Sequence, residues 1–405
     1  MSSHLARTAT ALNLTLFLST AAFAAGVREE TVSFATHDGF EIRCILSFPD
    51  QGSGPFPGML LIPGSGLHDA DVTLDVSTLR ITHGTQSLFK PLARHFSRQG
   101  WAVQRCNKRG ASFGHLNDRP QVLADSTLDD LVEDARAALD TLHDHPRVLA
   151  SQLVVLGHSE GTLIATRLAL NSPEIDLLVL MGSVARRFDA LIEYQLVDRN
   201  LDFLRRAADA DGDGALTLEE LNLLDGNFGL GSVYVLNSAS ILFESSRSVD
   251  DRLEVRGLNS RTDVDGDGRL RISAEIEPAL RREVARFLQL AGDGSLGEYW
   301  RSMVETGAPS SLIHQVQAPI LFVHGALDAQ TPVDEPLTLM ARLESRGRRD
   351  YDVLIFPTLG HSLSRPNDFF KGDGGLTTLD NLTLNAPKPK TRRLLLKRIV
   401  AALAR

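Results

Sequence analysis

Ser159 stands in the pentapeptide Gly157, His158, Ser159, Glu160, Gly161, directly behind the apolar run Leu153 to Leu156 and ahead of Gly161 to Leu170, which reads as a helix. A serine hydroxyl is a weak nucleophile unless a neighbouring base takes its proton, and the base in turn needs a carboxylate to orient it. Glycines on both sides suit a serine held on a tight strand-to-helix turn. Two residues downstream complete such a set: Asp328 follows the strand-like run Pro319 to His324, and His361 follows Asp352 to Phe356 through Pro357, Thr358, Leu359 and Gly360. Acid before histidine is the chain order that goes with this turn, and each residue falls where a strand ends. His324 and His314 compete for the base, but the first lies inside the strand end and the second precedes the strand; Asp334 is the reserve acid. The chemistry is attack on an acyl carbonyl, with water later releasing the acid. The oxyanion formed needs two donors. The backbone N–H of Glu160 is one, and the loop Pro63, Gly64, Ser65, Gly66 supplies the other, Ser65 first and Gly66 as the alternative.

These residues need a scaffold that brings strand ends together. Thr31 to Phe34 and Phe40 to Phe48 flank His37, Asp38, Gly39 as two strands and a turn, and Gly58 to Ile62 is a third strand running into the glycine loop. Strands and amphipathic helices then alternate: a helix near Gln86 to Arg98, a strand Ala102 to Cys106, a helix Leu128 to Leu142, and a strand Asp176 to Met181. Such alternation predicts an α/β fold with a mostly parallel sheet and helices on both faces. The rhythm stops at Gly182 and resumes at Pro319, with a helix near Glu335 to Ser345 and a last one, Thr391 to Leu403. The division expected is a signal peptide over 1–25, a first sheet part over 26–184, a helical, charged insertion over 185–313 and a second sheet part over 314–405.

On these residues the chain resembles the α/β-hydrolase superfamily over about Thr31 to Gly182 and Pro319 to Arg405. The Pro63 to Gly66 loop, with Asn107, Lys108, Arg109, Gly110 after the fourth strand, looks like a bacterial serine esterase group that carries aspartate where Asn107 stands. The resemblance implies an eight-stranded sheet, the triad Ser159, Asp328, His361, and a cap inserted after strand six. Esterase action on a small-molecule ester is the leading expectation. An exported peptidase or thioesterase uses the same triad, although no propeller-like repeat precedes the hydrolase region. A calcium-dependent binding protein with a relic hydrolase domain is the rival from another class.

The insertion holds a second constellation. Asp209, Asp211, Asp213, Ala215, Thr217 and Glu220 occupy loop positions one, three, five, seven, nine and twelve, with Gly214 at six. Oxygen ligands at that spacing crowd one hard cation, the glycine allows the sharp turn, and a glutamate at twelve closes the site with two oxygens. Leu191 to Ala207 reads as the entering helix and Leu221 to Leu224 as the start of the exit. A second loop offers Asp263, Asp265, Asp267 and Arg269, with Leu270 expected to pair with Leu216, but position twelve is Ala274 and the carboxylate, Glu275, comes one residue late. The two segments resemble a pair of EF-hands, and calcium in the insertion is the implied cofactor, with a structural rather than switching role. The chemistry at Ser159 requires none.

Composition fits one large core plus an extra module: 405 residues, 43% hydrophobic and 23% charged. A net charge of -9 gives no basic footprint for nucleic acid. His4 and Arg7, the apolar Ala11 to Phe23 and the small-x-small Ala22, Phe23, Ala24 read as an export signal. That stretch falls short of the roughly 20 apolar residues of a membrane span. The protein is therefore expected in the periplasm or outside the cell, with no membrane span in the mature chain. There Cys44 and Cys106 either pair or remain two separately buried thiols.

Overall fold

The computed structural model describes residues 26–75, 85–221, 239–247, 253–364 and 387–404. The expected export signal, 1–25, lies outside them.

Eight strands form the sheet: β1 (Val27–Ala35), β2 (Glu41–Pro49), β3 (Phe56–Ile62), β4 (Ala102–Cys106), β5 (Val148–His158), β6 (Leu177–Met181), β7 (Ile320–Gly325) and β8 (Tyr351–Phe356). Their order is β1-β2-β4-β3-β5-β6-β7-β8, and only β2 runs antiparallel to its neighbours. This is the strand order of the α/β-hydrolase fold. Alternate residues explain why the strands are so apolar. Leu60, Val155, Leu178 and Phe322 pack into a core on one face, while Leu61, Leu156, Val179 and Val323 pack into another on the opposite face. A sheet buried on both sides needs near-continuous apolar strands. Helices α1 (Phe89–Ser97), α2 (Leu128–His143), α3 (Glu160–Ala169), α6 (Asp334–Ser345) and α7 (Pro389–Leu403) cover it.

Cys44 and Cys106 lie directly opposite one another on β2 and β4 and form a disulfide, which resolves the open choice in favour of pairing. The helix expected from Gln86 begins at Phe89 instead, because Thr85–Ser87 pairs with Thr73–Asp75 as a small antiparallel ribbon.

Between β6 and β7 the chain leaves the sheet and builds its own apolar core, which includes Leu201, Phe203, Leu216, Leu270, Ile276 and Leu280. A helical run over 188–208 and α4 (Glu277–Gly292) frame this core, while α5 (Glu298–Glu305) packs Tyr299 and Met303 into the core on the sheet. The expectation of a helical insertion is corrected in part, since Phe243–Arg247 and Leu253–Leu258 pair as antiparallel strands. A second ribbon joins Ala215–Thr217 to Arg269–Arg271, with Leu216 opposite Leu270 as their spacing predicted.

Candidate active site

Ser159 sits between β5 and α3 at φ 56° and ψ -124°, a backbone conformation that non-glycine residues seldom adopt. The flanking glycines make this turn possible by close approach. A Cβ on Gly161 would lie 2.3 Å from the Ile62 carbonyl oxygen, and one on Gly157 would lie 2.1 Å from that of Gly161. The turn is anchored where the Ser159 N–H donates to the Met181 carbonyl at the end of β6 (2.9 Å).

His361 reaches the same place from the loop after β8. Its ring lies against Gly182, where a Cβ would be 3.1 Å from His361 Cε1, and its centroid is 4.7 Å from that of His158. His361 Nδ1 meets Asp328 Oδ2 at 2.8 Å. The Asp328 carboxylate is fully buried and accepts further bonds from the backbone N–H groups of Gln330 and Thr331 and from Thr331 Oγ1, each at 2.9 Å. Burial alone would raise the Asp328 carboxyl; the adjoining His361 and the Thr331 N–H outweigh it and hold the group down at about 2. The carboxylate is thus ionised and aimed at the histidine ring.

The competitors fall away on geometry. His324 is fully buried and bonded through Nε2 to the Thr331 carbonyl at 2.7 Å, and burial lowers its pKa. His314 lies before β7, at the opposite end of that strand from Asp328. Asp334 begins α6 as a partner of Arg186 at 2.9 Å.

A cavity of about 360 Å³ opens in front of Ser159 and Ser65. The inserted region roofs it with Leu191, Ile192 and Leu196 from the 188–208 run, Phe287 from α4, and Trp300 and Met303 from α5. Phe188, Phe287 and Trp300 form an aromatic cluster with centroids 5.4 to 6.4 Å apart. The charged residues on the wall are already paired: Arg186 with Glu335 and Asp334, and Glu160 with Lys108.

The segment after β4 is divided among three tasks. Asn107 Oδ1 accepts from the Ala70 N–H at 2.8 Å, a role an amide oxygen fills as well as a carboxylate. Arg109 clasps Asp134 on α2 and Asp38 in the β1–β2 turn. Lys108 alone turns to the site. Sequence reasoning assigned no role to Thr331, Lys108 or Tyr299; an aspartate with a threonine three residues on is a local signal for the first, and Lys108 stood in the segment that carried the resemblance.

The two acidic loops lie side by side in the insertion. In the first, Asp209, Asp211 and Asp213 bring carboxylate oxygens within 4.8 Å of one another, and Asp263, Asp265 and Asp267 do the same in the second. Glu220 accepts from the N–H groups of Ala210 (2.9 Å) and Thr217 (2.8 Å), and Thr217 Oγ1 also donates to it. Glu275 accepts from Val264 (3.0 Å) and Arg271 (2.8 Å), the corresponding second and ninth positions. The late carboxylate is therefore in register, because the exit from the second loop opens with a π turn, Ile272–Ile276, that absorbs the extra residue. In both loops the first aspartate has a buried Oδ1 with no partner among the described residues, Asp209 and Asp263. The exit helix of the first loop begins at residue 218, three residues earlier than expected. The Ala215 N–H donates to Asp213, and the side chain of Arg269, a residue expected to serve the second loop, reaches across to the same carboxylate.

Sheet order and the turn at Ser159 are those of an α/β-hydrolase fold. Comparison with known proteins agrees: residues 79–199 match the serine aminopeptidase S33 family and residues 294–371 the prolyl oligopeptidase family. Esterase EstD of Thermotoga maritima is 32% identical over 146 residues, a match that covers 36% of this chain and 31% of that esterase. Among solved structures, the α/β hydrolase GrgF of Penicillium sp. sh18 is similar with a TM-score of 0.47 at 16% identity, over 93% of this chain and 98% of that one. The acylaminoacyl peptidase of Pyrococcus horikoshii gives 0.48 at 13% identity, over 93% and 42%.

Proposed function

We propose that the protein is an exported carboxylic ester hydrolase in which Ser159 attacks the acyl carbonyl, His361 takes the serine proton, and Asp328 holds the imidazole in the required tautomer. The observation that carries this reading is the strained Ser159 turn facing the cavity, with the Asp328–His361 pair brought from the loops after β7 and β8 against Gly182, at the end of the adjacent strand β6. Backbone N–H groups of Glu160 and Ser65 receive the oxyanion. The alcohol leaves with a proton returned from His361, and water then cleaves the acyl-enzyme by the same route in reverse.

An apolar wall favours an ester with an aliphatic or aromatic group of moderate size. The family matches at 79–199 and 294–371 support a peptidase as the second reading. An aminopeptidase needs a free carboxylate for the substrate ammonium, whereas the wall carboxylate Glu160 is already held by Lys108 and Tyr299. Comparing p-nitrophenyl esters with aminoacyl p-nitroanilides separates the two. Ester preference that vanishes in Ser159→Ala supports the proposal, and anilide preference overturns it.

The acidic loops are EF-hand-like calcium sites in this reading. Asp209, Asp211, Asp213, Thr217 and Glu220, with the Ala215 carbonyl, would hold one ion; Asp263, Asp265, Asp267 and Glu275, with the Arg269 carbonyl, would hold the other. The unpartnered Oδ1 atoms of Asp209 and Asp263 fit a cation. Calcium would neutralise these carboxylates and fasten the two loops, without touching the chemistry at Ser159. Export is supported by the Cys44–Cys106 bridge, since structural disulfides persist in oxidising compartments.

A further inference from the structure

Lys108 is almost fully buried, and its ammonium donates to the Gly64 carbonyl at 3.0 Å and to Glu160 Oε1 at 2.7 Å. Tyr299, on α5 of the inserted region, donates its hydroxyl to the other oxygen of Glu160. Burial would raise the Glu160 carboxyl, but Lys108 outweighs it and the group stays ionised. Burial and Glu160 together push the Tyr299 hydroxyl well above its usual range, so it remains a donor. A paired charge this deep requires a closed set of partners.

What the cluster grips is informative. Glu160 follows the nucleophile, and its backbone N–H is one proposed oxyanion donor. The second is the Ser65 N–H, which belongs to the same peptide unit as the Gly64 carbonyl. A trans peptide is planar, and its C=O and N–H point in opposite directions. The bond from Lys108 to the Gly64 oxygen therefore sets the direction of the Ser65 N–H. The loop also presses on the nucleophile: a Cβ on Gly64 would lie 2.9 Å from Ser159 Cβ. With no side chain at Gly64, that peptide is free to flip unless something holds its oxygen.

We infer that Lys108 is a positioning residue that fixes both halves of the oxyanion hole, holding the Gly64–Ser65 peptide by its carbonyl and the Ser159–Glu160 turn by the Glu160 carboxylate, and that Tyr299 ties this assembly to the inserted region. The inference rests on the esterase reading of Ser159. It assigns work to the lysine that contact with substrate does not require. The Tyr299 hydroxyl links the seating of α5 to the shape of the hole, and its ring centroid lies 5.6 Å from the Lys108 ammonium.

The test is the full-length variant Lys108→Met/Glu160→Gln, which removes both charges together so that neither is left buried alone. Hydrolysis of a p-nitrophenyl ester should show kcat lower by about 10²–10³-fold, the loss typical of one missing oxyanion donor, with KM within about threefold. Affinity for a trifluoromethyl ketone, which forms a tetrahedral oxyanion on the serine, should fall by the same order. A kcat within threefold of the parent, or a loss carried by KM alone, overturns the inference. If the double variant does not fold, Tyr299→Phe carries the test: a loss in kcat of about threefold to tenfold at unchanged KM supports it, and an unchanged kcat refutes it. A parent enzyme that neither turns over esters nor reacts at Ser159 defeats the esterase reading itself, whereas an active parent with equally active variants defeats only the role of Lys108.

Discussion

Replacing Asp328 by asparagine tests the site through one pair of atoms. Asparagine keeps the shape, and its oxygen can still accept from the Gln330 and Thr331 N–H groups. Its amide nitrogen then faces His361 Nδ1 where Oδ2 stood at 2.8 Å. A donor facing Nδ1 forces the ring to carry its proton on Nε2, the wrong tautomer for a base acting on Ser159. The expected loss in kcat is about 10⁴-fold, or about 5.4 kcal/mol of barrier, with KM little changed. The same substitution has a pH signature. The folded-state carboxyl at about 2, against 3.8 ordinarily, corresponds to about 2 kcal/mol of stability. Because the folded pKa is depressed, this contribution is complete above about pH 4 and disappears as pH falls through about 2. Parent and variant should therefore differ in urea midpoint at neutral pH and converge towards pH 2. Steady-state ester hydrolysis and urea titration between pH 2 and 7 supply both readings. A variant retaining more than a tenth of the parent kcat would refute the role given to Asp328.

The remaining expectations concern other parts of the molecule. Calcium titration by calorimetry should find two sites per chain, with Glu275→Gln abolishing one and Glu220→Gln the other. At 1 mM calcium and a dissociation constant of about 0.1 mM each site stabilises by about 1.4 kcal/mol, so a chelator should lower the melting temperature. Replacing Cys44 and Cys106 by serine opens a bridge across a sequence separation of 62 and should cost about 2–4 kcal/mol in urea unfolding; an unchanged midpoint would deny the bridge a structural role. Trp300→Ala enlarges the cavity wall and should move the optimum of an acyl-length series to longer chains; an unchanged optimum would place the acyl group elsewhere.

What could be read from the sequence was what is written locally. The Ser159 turn announces itself through Gly157 and Gly161, because both must lack a Cβ, and Asp328 and His361 follow because strand ends are visible as the ends of apolar runs. The mostly parallel sheet follows from the alternation of the same runs with helices, whereas its eight strands came from the family resemblance and their order from the structure. Glu275 was less legible: it comes one residue late, and the π turn that brings it back into register cannot be read from the spacing of the ligands. Lys108, Glu160 and Tyr299 meet across sequence separations of 52 and 139, a closeness that only the packed insertion creates. The antiparallel pair Phe243–Arg247 and Leu253–Leu258 was hidden by the charge and helical periodicity around it.

The central claim is that Ser159 is an activated nucleophile, and a fluorophosphonate probe with peptide mass spectrometry tests it most directly. The account predicts one covalent adduct, on Ser159, formed rapidly by the parent, slowed by about the same factor as kcat in Asp328→Asn, and absent in Ser159→Ala. A folded parent that stays unlabelled with calcium and with a chelator, or an adduct on another residue, would contradict it.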